Sequence, residues 1–165
     1  MTGIGVRVLV GVGALAALAG CGNSATSDNT QRDESGEVTS GGEVGVFRLQ
    51  VGDCVAETDI DADDVFDSLP VVPCSEPHQL EVYHAFDLAD GDYPGDSEVF
   101  EQAAEGCLAA FRGFVGVDFS QSVYDVTPIR PTAESWAEID DREVLCALFE
   151  GEGILRTGSA EGSTR

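Results

Sequence analysis

The sequence predicts an α+β domain, with a small, mostly antiparallel sheet, one long helix packed on it, and two disulfides. Short extended segments lie on both sides of a single long amphipathic segment. Four of the five cysteines form an even set in a chain that begins with an export signal. We expect the folded domain to span residues 46–156.

The export signal occupies residues 1–20, in which Arg7 is the one charged side chain. The apolar run that follows it has about 13 residues, fewer than the roughly 20 that a transmembrane helix needs. This pattern is typical of a secretory signal peptide.

Residues 18–21 read LAGC, a string that resembles the lipobox of bacterial lipoprotein precursors. The resemblance implies that the Cys21 thiol receives a diacylglyceryl group and that cleavage makes Cys21 the first residue of the mature chain. Two acyl chains are enough for stable anchoring in a lipid bilayer. We therefore expect a lipid-anchored protein on the extracytoplasmic face of the cell membrane. The alternative is a conventional signal peptide followed by an incidental cysteine.

The chain is strongly acidic, with 31 Asp and Glu, eight Arg, no Lys and a net charge of −23. Cleavage after residue 20 would remove one arginine and no acid, which gives −24. Nucleic acids are excluded as partners, because proteins bind their phosphates through Lys and Arg. The same charge repels anionic lipids, so membrane attachment must be covalent. The Arg-only, acid-rich composition favours an actinobacterial envelope.

Two segments are expected to lie outside the folded domain. Residues 21–45, which begin with the lipidated Cys21, are rich in Ser, Thr, Gly and acidic residues and nearly without large apolar side chains. Such a segment cannot bury enough apolar surface to offset its ordering entropy, so we expect a disordered tether. Residues 157–165 are expected to form a flexible tail.

Five extended segments are expected in the domain: residues 46–51, 69–74, 81–88, 121–131 and 142–150. Pro70 and Pro73 predict that the second lies at an edge of the sheet. Alternation in the third predicts that Val82, His84 and Phe86 share one face. The last segment is apolar on both faces, which predicts a central strand.

One long helix is expected at about residues 97–114, with Asp96 as its N-cap and Gly113 or Gly116 near its end. Apolar residues recur three and four positions apart and predict one buried stripe: Phe100, Ala103, Cys107, Phe111 and Phe114. A turn or a single helical turn is expected at residues 132–140.

The four cysteines that remain after lipidation of Cys21 allow three pairings. We expect one bond between the ends of neighbouring strands and one between the helix stripe and the central strand: Cys54–Cys74 and Cys107–Cys146. Each is expected to stabilise the fold by about 3–4 kcal/mol. The alternative is a thiolate or metal site with His78 and His84. It is disfavoured because the spacing is unusual for zinc and exported thiols oxidise.

A series of motifs runs through residues 46–150. In order they are VGDC (51–54), VVPCSEPHQLEVY (71–83), YPG (93–95), EGCLAAF (105–111), PTAESW (131–136) and DREVLC (141–146). The series resembles the septum-formation-related domain of actinobacterial envelope proteins. Residues 137–140 depart from the family pattern, which has a glycine before Asp-Arg. The resemblance implies an extracytoplasmic domain associated by name with cell division, and it supplies no catalytic residues.

Candidate binding residues lie in these motifs: His78, Glu81, Trp136 and Arg142. In one interpretation they line a shallow groove for a peptide or a glycan stem. In the other, His78 and Glu81 satisfy turn backbone groups and Arg142 pairs with Glu81 at the sheet edge. Trp136, the single tryptophan, is then part of the core. The second, structural interpretation is favoured.

The acidic loop at residues 57–68 suggests a calcium site, because its carboxylates alternate: Asp59, Asp61, Asp63, Asp64 and Asp67. The EF-hand pattern fails, because Asp64 stands where glycine is required and Pro70 where the bidentate glutamate belongs. We expect a solvated loop, and neither a metal nor another cofactor.

Motifs of known catalytic sites, such as G-x-S-x-G, the Walker loop and H-E-x-x-H, do not occur in the sequence. We expect a non-catalytic binding or scaffold module that takes part in septum formation and contacts cell-wall or divisome proteins. The alternative is a small envelope enzyme that acts on peptidoglycan, or a metal-responsive sensor.

Replacing Cys21 with Ala is expected to release the protein from membranes, because the variant cannot carry the two acyl chains. Membrane sedimentation followed by immunoblotting measures the release. Ser24→Ala, three residues downstream, is the control and should stay with the membranes. A C21A protein that still sediments with them would contradict the lipid anchor.

Overall fold

The computed structural model describes residues 29–56, 66–151 and 153–165. Strands, two α-helices and two short 3-10 turns, at Val46–Arg48 and Phe119–Gln121, make up this part of the chain. In chain order the strands and helices are β1 (Gln31–Arg32), β2 (Val38–Ser40), β3 (Gly42–Gly45), β4 (Cys54–Val55), β5 (Ser68–Val72), β6 (Leu80–Asp87), α1 (Asp96–Val115), β7 (Asp125–Ile129), α2 (Ala133–Glu138) and β8 (Glu143–Phe149).

The main sheet has six strands in the order β3-β5-β4-β6-β8-β7, and neighbouring strands are antiparallel. The strands β1 and β2 form a separate antiparallel ribbon. Strand β8 lies between β6 and β7 with five consecutive buried residues, as predicted for a central strand. The α+β class, with a mostly antiparallel sheet and one long helix, is confirmed.

Two apolar clusters cover the two faces of the sheet. On one face, α1 packs against alternate residues of β8: Val144, Cys146 and Leu148. On the other face, Leu145 and Ala147 of β8 join residues of β3, β5 and β6. Val38 of β2 and Leu49, just after the first 3-10 turn, close this second cluster. The core is therefore divided by the sheet.

Helix α1 confirms the long helix, with differences at its ends. Gly116, with a φ of 95°, takes the left-handed conformation that ends a helix, and the N-cap is Gly95 instead of the predicted Asp96. The buried stripe repeats every four residues: Val99, Ala103, Cys107, Phe111 and Val115. Phe100 is 40% exposed and Phe114 only partly buried, so the predicted stripe is correct in its centre and wrong at both ends.

Both predicted disulfides are confirmed. Cys54–Cys74 joins β4 to the residues that follow β5, with the Cα atoms 5.2 Å apart. Cys107–Cys146 joins α1 to β8, with the Cα atoms 5.3 Å apart. Each bond links segments that are distant in sequence, which is the arrangement that most restricts the unfolded chain.

The predicted disordered tether is wrong for residues 29–45, which form β1, β2 and β3. Strand β3 pairs with β5 along its full length, and Val44 and Val38 are buried. Composition concealed this strand because two of its four residues are glycines and a third is Glu43. Gly41, which precedes the strand, lies close to β5: a Cβ atom there would lie 2.7 Å from the Val71 carbonyl oxygen. The domain therefore begins earlier than residue 46.

Three further local predictions are wrong. Residues 46–51 turn through a 3-10 segment instead of forming a strand, because β3 occupies that place in the sheet. Strand β5 is not at the edge, because β3 pairs on its outer side. A bulge between Val82 and His84 reverses the alternation of β6, so Val82 faces one cluster and Phe86 the other.

The predicted flexible tail at residues 157–165 is also wrong. Ala160 is fully buried, and the amides of Gly162 and Thr164 donate to the carbonyls of Phe114 and Val115 at 2.8 and 2.9 Å. Cys21 and most of the acidic loop, residues 57–65, lie outside the described residues. Among the residues that are described, no helix combines the length and apolar character needed to cross a bilayer.

Two glycines of α1 provide a matched test of its packing. A Cβ atom on Gly106 would collide with the Phe86 ring, whereas one on Gly113 would meet nothing within 4 Å. Gly106→Ala should lower the free energy of unfolding by about 1–3 kcal/mol through overpacking. Gly113→Ala should raise it by about 0.5–1 kcal/mol, because alanine favours a helix more than glycine does. Urea unfolding followed by circular dichroism measures both, and equal effects would contradict the packing of α1 on β6.

Candidate functional site

The first cluster of buried charge surrounds Asp53, the acid of the VGDC motif. Arg32 of β1 forms a two-pronged ion pair with it, Nη1 to Oδ1 at 2.5 Å and Nη2 to Oδ2 at 2.8 Å. The Gln50 amide donates to the same carboxylate at 2.9 Å. Asp53 is buried and Arg32 mostly buried. This pair therefore fastens the β1–β2 ribbon to the turn before Cys54.

The second cluster surrounds Glu81 of β6, which pairs in register with Cys54. Its Oε2 atom accepts from Arg156 Nη2 and, at 2.8 Å, from the Ala160 amide. Its Oε1 atom accepts from the Ser159 hydroxyl at 2.5 Å. Both charged side chains are over nine-tenths buried. The carboxylate therefore holds the C-terminal residues against the sheet.

His78 lies next to this ion pair and is fully buried. Its amide donates to the Arg156 carbonyl at 2.9 Å, and the Arg156 amide donates back at 3.0 Å. The ring Nδ1 atom is 2.8 Å from the Glu76 carbonyl oxygen, which can only accept, so Nδ1 carries the hydrogen. The ring Nε2 atom has no hydrogen-bond partner among the described residues. Burial is the main cause that lowers the pKa of His78, and the Arg156 charge lowers it further.

Cys54, Cys74 and Glu81 bring potential metal-ligating atoms within 4.8 Å of one another. The two sulfur atoms are bonded to each other, and the carboxylate already accepts three hydrogen bonds. Zinc is bound by thiolates, which a disulfide does not offer. In this oxidised form, Cys54, Cys74 and Glu81 serve to join β4, β6 and the residues after β5.

Trp136 and Arg142 form a separate site at the other end of the sheet. The Arg142 guanidinium carbon lies 3.7 Å from the centroid of the Trp136 ring system, a cation–π contact. Arg142 also donates to the Trp136 and Asp141 carbonyls and pairs with Asp140 at 2.7 Å. The indole Nε1 donates to the Gly91 carbonyl at 3.0 Å. Trp136 is buried, so it closes the core here.

An open pocket of about 580 Å³ lies beside Arg142. It is formed by the loop after β6 and the loop before β8, and its wall is mostly acidic: Asp87, Leu88, Ala89, Asp90, Asp140, Asp141, Arg142 and Glu143. Partial burial, together with the neighbouring carboxylates of Asp87 and Asp141, raises the pKa of Glu143. The pocket therefore favours positively charged groups over anions.

The structure divides the four predicted binding residues between these places. His78 and Glu81 are buried beneath the C-terminal residues, whereas Trp136 and Arg142 lie together near the acidic pocket. One shallow groove lined by all four does not form. The predicted Arg142–Glu81 pair is wrong as well, because Glu81 pairs with Arg156.

Sequence reasoning missed Arg32, Asp53 and Arg156. Arg32 and Arg156 lie in or at the border of the segments predicted to be a tether and a tail, and such segments have no predicted contacts with the folded domain. A usable signal was present, since the chain has no lysine and only eight arginines. Isolated arginines in polar segments of so acidic a chain mark ion pairs that fasten those segments.

The fold and these sites define a disulfide-linked α+β domain whose described buried charges hold its own terminal segments. The family model described as septum formation matches residues 19–125 and 51–165. The chain therefore belongs to the septum formation family, which indicates a role related to septum formation. Comparisons with curated proteins and with solved structures found no match.

Glu81→Gln should lower the free energy of unfolding by about 3–5 kcal/mol, because it leaves the buried Arg156 charge without a counter-charge. Asp140→Asn is the matched control. Asp140 also pairs with an arginine but is 84% exposed, so the loss should stay within about 1 kcal/mol. Urea unfolding monitored by Trp136 fluorescence measures both. Losses of equal size would show that the Glu81 pair is not the stabilising one.

Proposed function

We propose that the protein is a lipid-anchored, non-catalytic binding or scaffold module on the extracytoplasmic face of the membrane, where it takes part in septum formation. The match to the septum formation family supports the cellular role. The apolar leader and the LAGC string at residues 18–21 support the anchor. The partner we propose is a basic surface of a cell-wall or divisome protein.

The observation that carries this proposal is the distribution of charge. Within the described ranges, at least five arginines form ion pairs with carboxylates of the same chain: Arg32–Asp53, Arg112–Asp118, Arg142–Asp140, Arg156–Glu81 and Arg165–Glu150. The chain without residues 1–20 has a net charge of −24. Because few cations remain to offset the other carboxylates, the surface that meets a partner is acidic. Such a surface attracts basic proteins and repels polyanions.

The acidic pocket supports the same partner chemistry. Its carboxylates come from two loops at one end of the sheet, and Arg142, the one cation in its wall, is already paired with Asp140. A Lys or Arg side chain of a partner would find carboxylates there without displacing an existing ion pair. Complementary charge of this kind increases the rate of association and selects the partner.

The state of the buried carboxylates supports a non-catalytic role. An acid–base catalyst needs a carboxyl group that is free to take up and release a proton near the substrate. Asp53 and Glu81 are instead occupied by arginines and by backbone amides. Their burial also separates them from any surface-bound polymer. Both carboxylates therefore stabilise the fold by pairing with arginines of the same chain.

The experiment is depletion and imaging in the native host. A fluorescent protein joined to Arg165 through a flexible linker should accumulate at division sites, and depletion of the untagged protein should delay septation. The C21A variant should lose this localisation, whereas S24A should keep it. Uniform labelling around the cell together with normal division on depletion would rule out the septal role.

Complementation separates a scaffold from an envelope enzyme. Single exchanges of the pocket carboxylates, such as Asp87→Asn, Asp90→Asn and Glu143→Gln, should each restore division, because no one carboxylate is indispensable for binding. Combined exchange of all three should weaken complementation, because it removes much of the local negative charge. Complete loss with one exchange alone would instead favour the enzyme.

A further inference from the structure

We propose that residues 156–165 form a C-terminal strap that is held closed while His78 is neutral and is released when the His78 ring takes up a proton. The inference does not depend on the proposed septal function. It assigns an acid-sensitive conformational switch to the septum formation domain.

The C-terminal strap is held mainly by hydrogen bonds and by two ion pairs, Arg156–Glu81 and Arg165–Glu150. Arg156 and His78 exchange two backbone hydrogen bonds, and the Arg156 side chain pairs with Glu81. Further along, the Gly158 amide donates to the Cys74 carbonyl at 2.6 Å. Ala160 is the fully buried apolar residue of the strap. An attachment that rests on polar contacts, with one fully buried apolar residue, can open as a unit.

His78 lies where the strap is most firmly attached. Two backbone hydrogen bonds join Arg156 of the strap to His78, and the His78 side chain is fully buried. The neutral ring fits, because Nδ1–H donates to the Glu76 carbonyl and Nε2 has only a lone pair. Protonation would place an N–H group at Nε2, for which the described residues offer no acceptor. A buried donor without an acceptor carries the full cost of lost hydration.

The charged groups that act on the His78 ring are Arg156 of the strap and Glu81 of β6. A protonated ring would repel the Arg156 guanidinium. Glu81 attracts it, but both of its oxygens are already occupied by Arg156, Ser159 and the Ala160 amide. The Glu76 carbonyl accepts from Nδ1, and this hydrogen bond favours the protonated ring more than the Arg156 charge opposes it. Burial is nevertheless the largest effect on the His78 pKa, so protonation of the ring acts against the closed strap.

The direction of the pH dependence follows from linkage. Burial lowers the pKa of His78 below its ordinary value of 6.5, so the closed state prefers the neutral ring. The strap is fully stabilised above about pH 6.5, the ordinary pKa of a histidine that opening restores. Its stability falls as the pH decreases from there toward the lower pKa of the closed state.

Opening of the strap need not unfold the domain. The helix and the sheet remain joined by Cys107–Cys146, and β4 remains joined to the end of β5 by Cys54–Cys74. Release would expose Glu81, His78 and the carbonyls of Phe114 and Val115, which the strap now covers. A carboxylate without its arginine and a free helix end would then become accessible at the surface.

Amide hydrogen exchange followed by NMR on the full chain, with both disulfides formed, tests the switch at pH 7 and pH 5, with rates corrected for intrinsic pH dependence. Protection of the Ala160, Gly162 and Thr164 amides should fall with decreasing pH by up to about tenfold per unit, the limit that one proton sets. Protection of the β8 amides should not change. A parallel fall in β8 would mean that the whole domain is destabilised, and no fall at all would mean that His78 does not control the strap. Either result overturns the proposal.

Two variants distinguish the two histidines of the chain. His78→Gln removes the titrating ring, so the strap amides should show no pH-dependent loss of protection. His84→Gln is the matched control, because His84 is the other histidine and lies partly exposed beside Phe86. It should behave as the unaltered protein does. If H78Q retains the full pH dependence, the proposal is wrong.

A direct titration covers the case in which H78Q does not fold. In the unaltered protein, strap protection should fall from about pH 6.5 and level off at the pH where the ring nitrogen signals of His78 titrate. Strap protection that levels off at a different pH from the His78 titration would overturn the proposal without any variant.

Discussion

The structure depends on the region around Cys54, where buried carboxylates meet arginines from both ends of the described chain. Asp53 forms an ion pair with Arg32 of the β1–β2 ribbon. Glu81, which pairs in register with Cys54, forms an ion pair with Arg156. A buried carboxylate is tolerated only when it is paired and hydrogen-bonded. The domain is therefore complete only when both terminal segments are in place.

This arrangement explains how so acidic a chain uses its few cations. With eight arginines and no lysine, cations cannot be spread evenly over the surface. Arg32 and Arg156 are placed where an unpaired carboxylate would cost most, because interaction and desolvation energies are both larger away from water. The exposed acids are left to solvent, where repulsion is screened. One distribution thus gives both a stable interior and an acidic surface.

The C-terminal strap also depends on the few arginines of the chain. Glu81 is held by a segment that is attached by hydrogen bonds and two ion pairs. His78 lies beside the Arg156–Glu81 pair, and its ring Nε2 atom has no partner among the described residues. Stability is not uniform across a fold, and elements fixed by few apolar contacts open first. The acidic surface is constant, whereas the region under the strap can change with conditions.

The sequence by itself predicted the class of fold, the α1 helix and the central strand β8, because periodicity is a local signal. The even cysteine count predicted disulfides, and the expected positions of the helix and strands favoured one of the three pairings. It also indicated the family through the order of its motifs. Tertiary structure alone decided that residues 29–45 pair with β5 and that residues 157–165 close over Glu81. Polar, glycine-rich segments have no periodicity that reveals burial. Their place depends on single ion pairs with carboxylates far away in the chain, and such partners are visible only when the chain is folded.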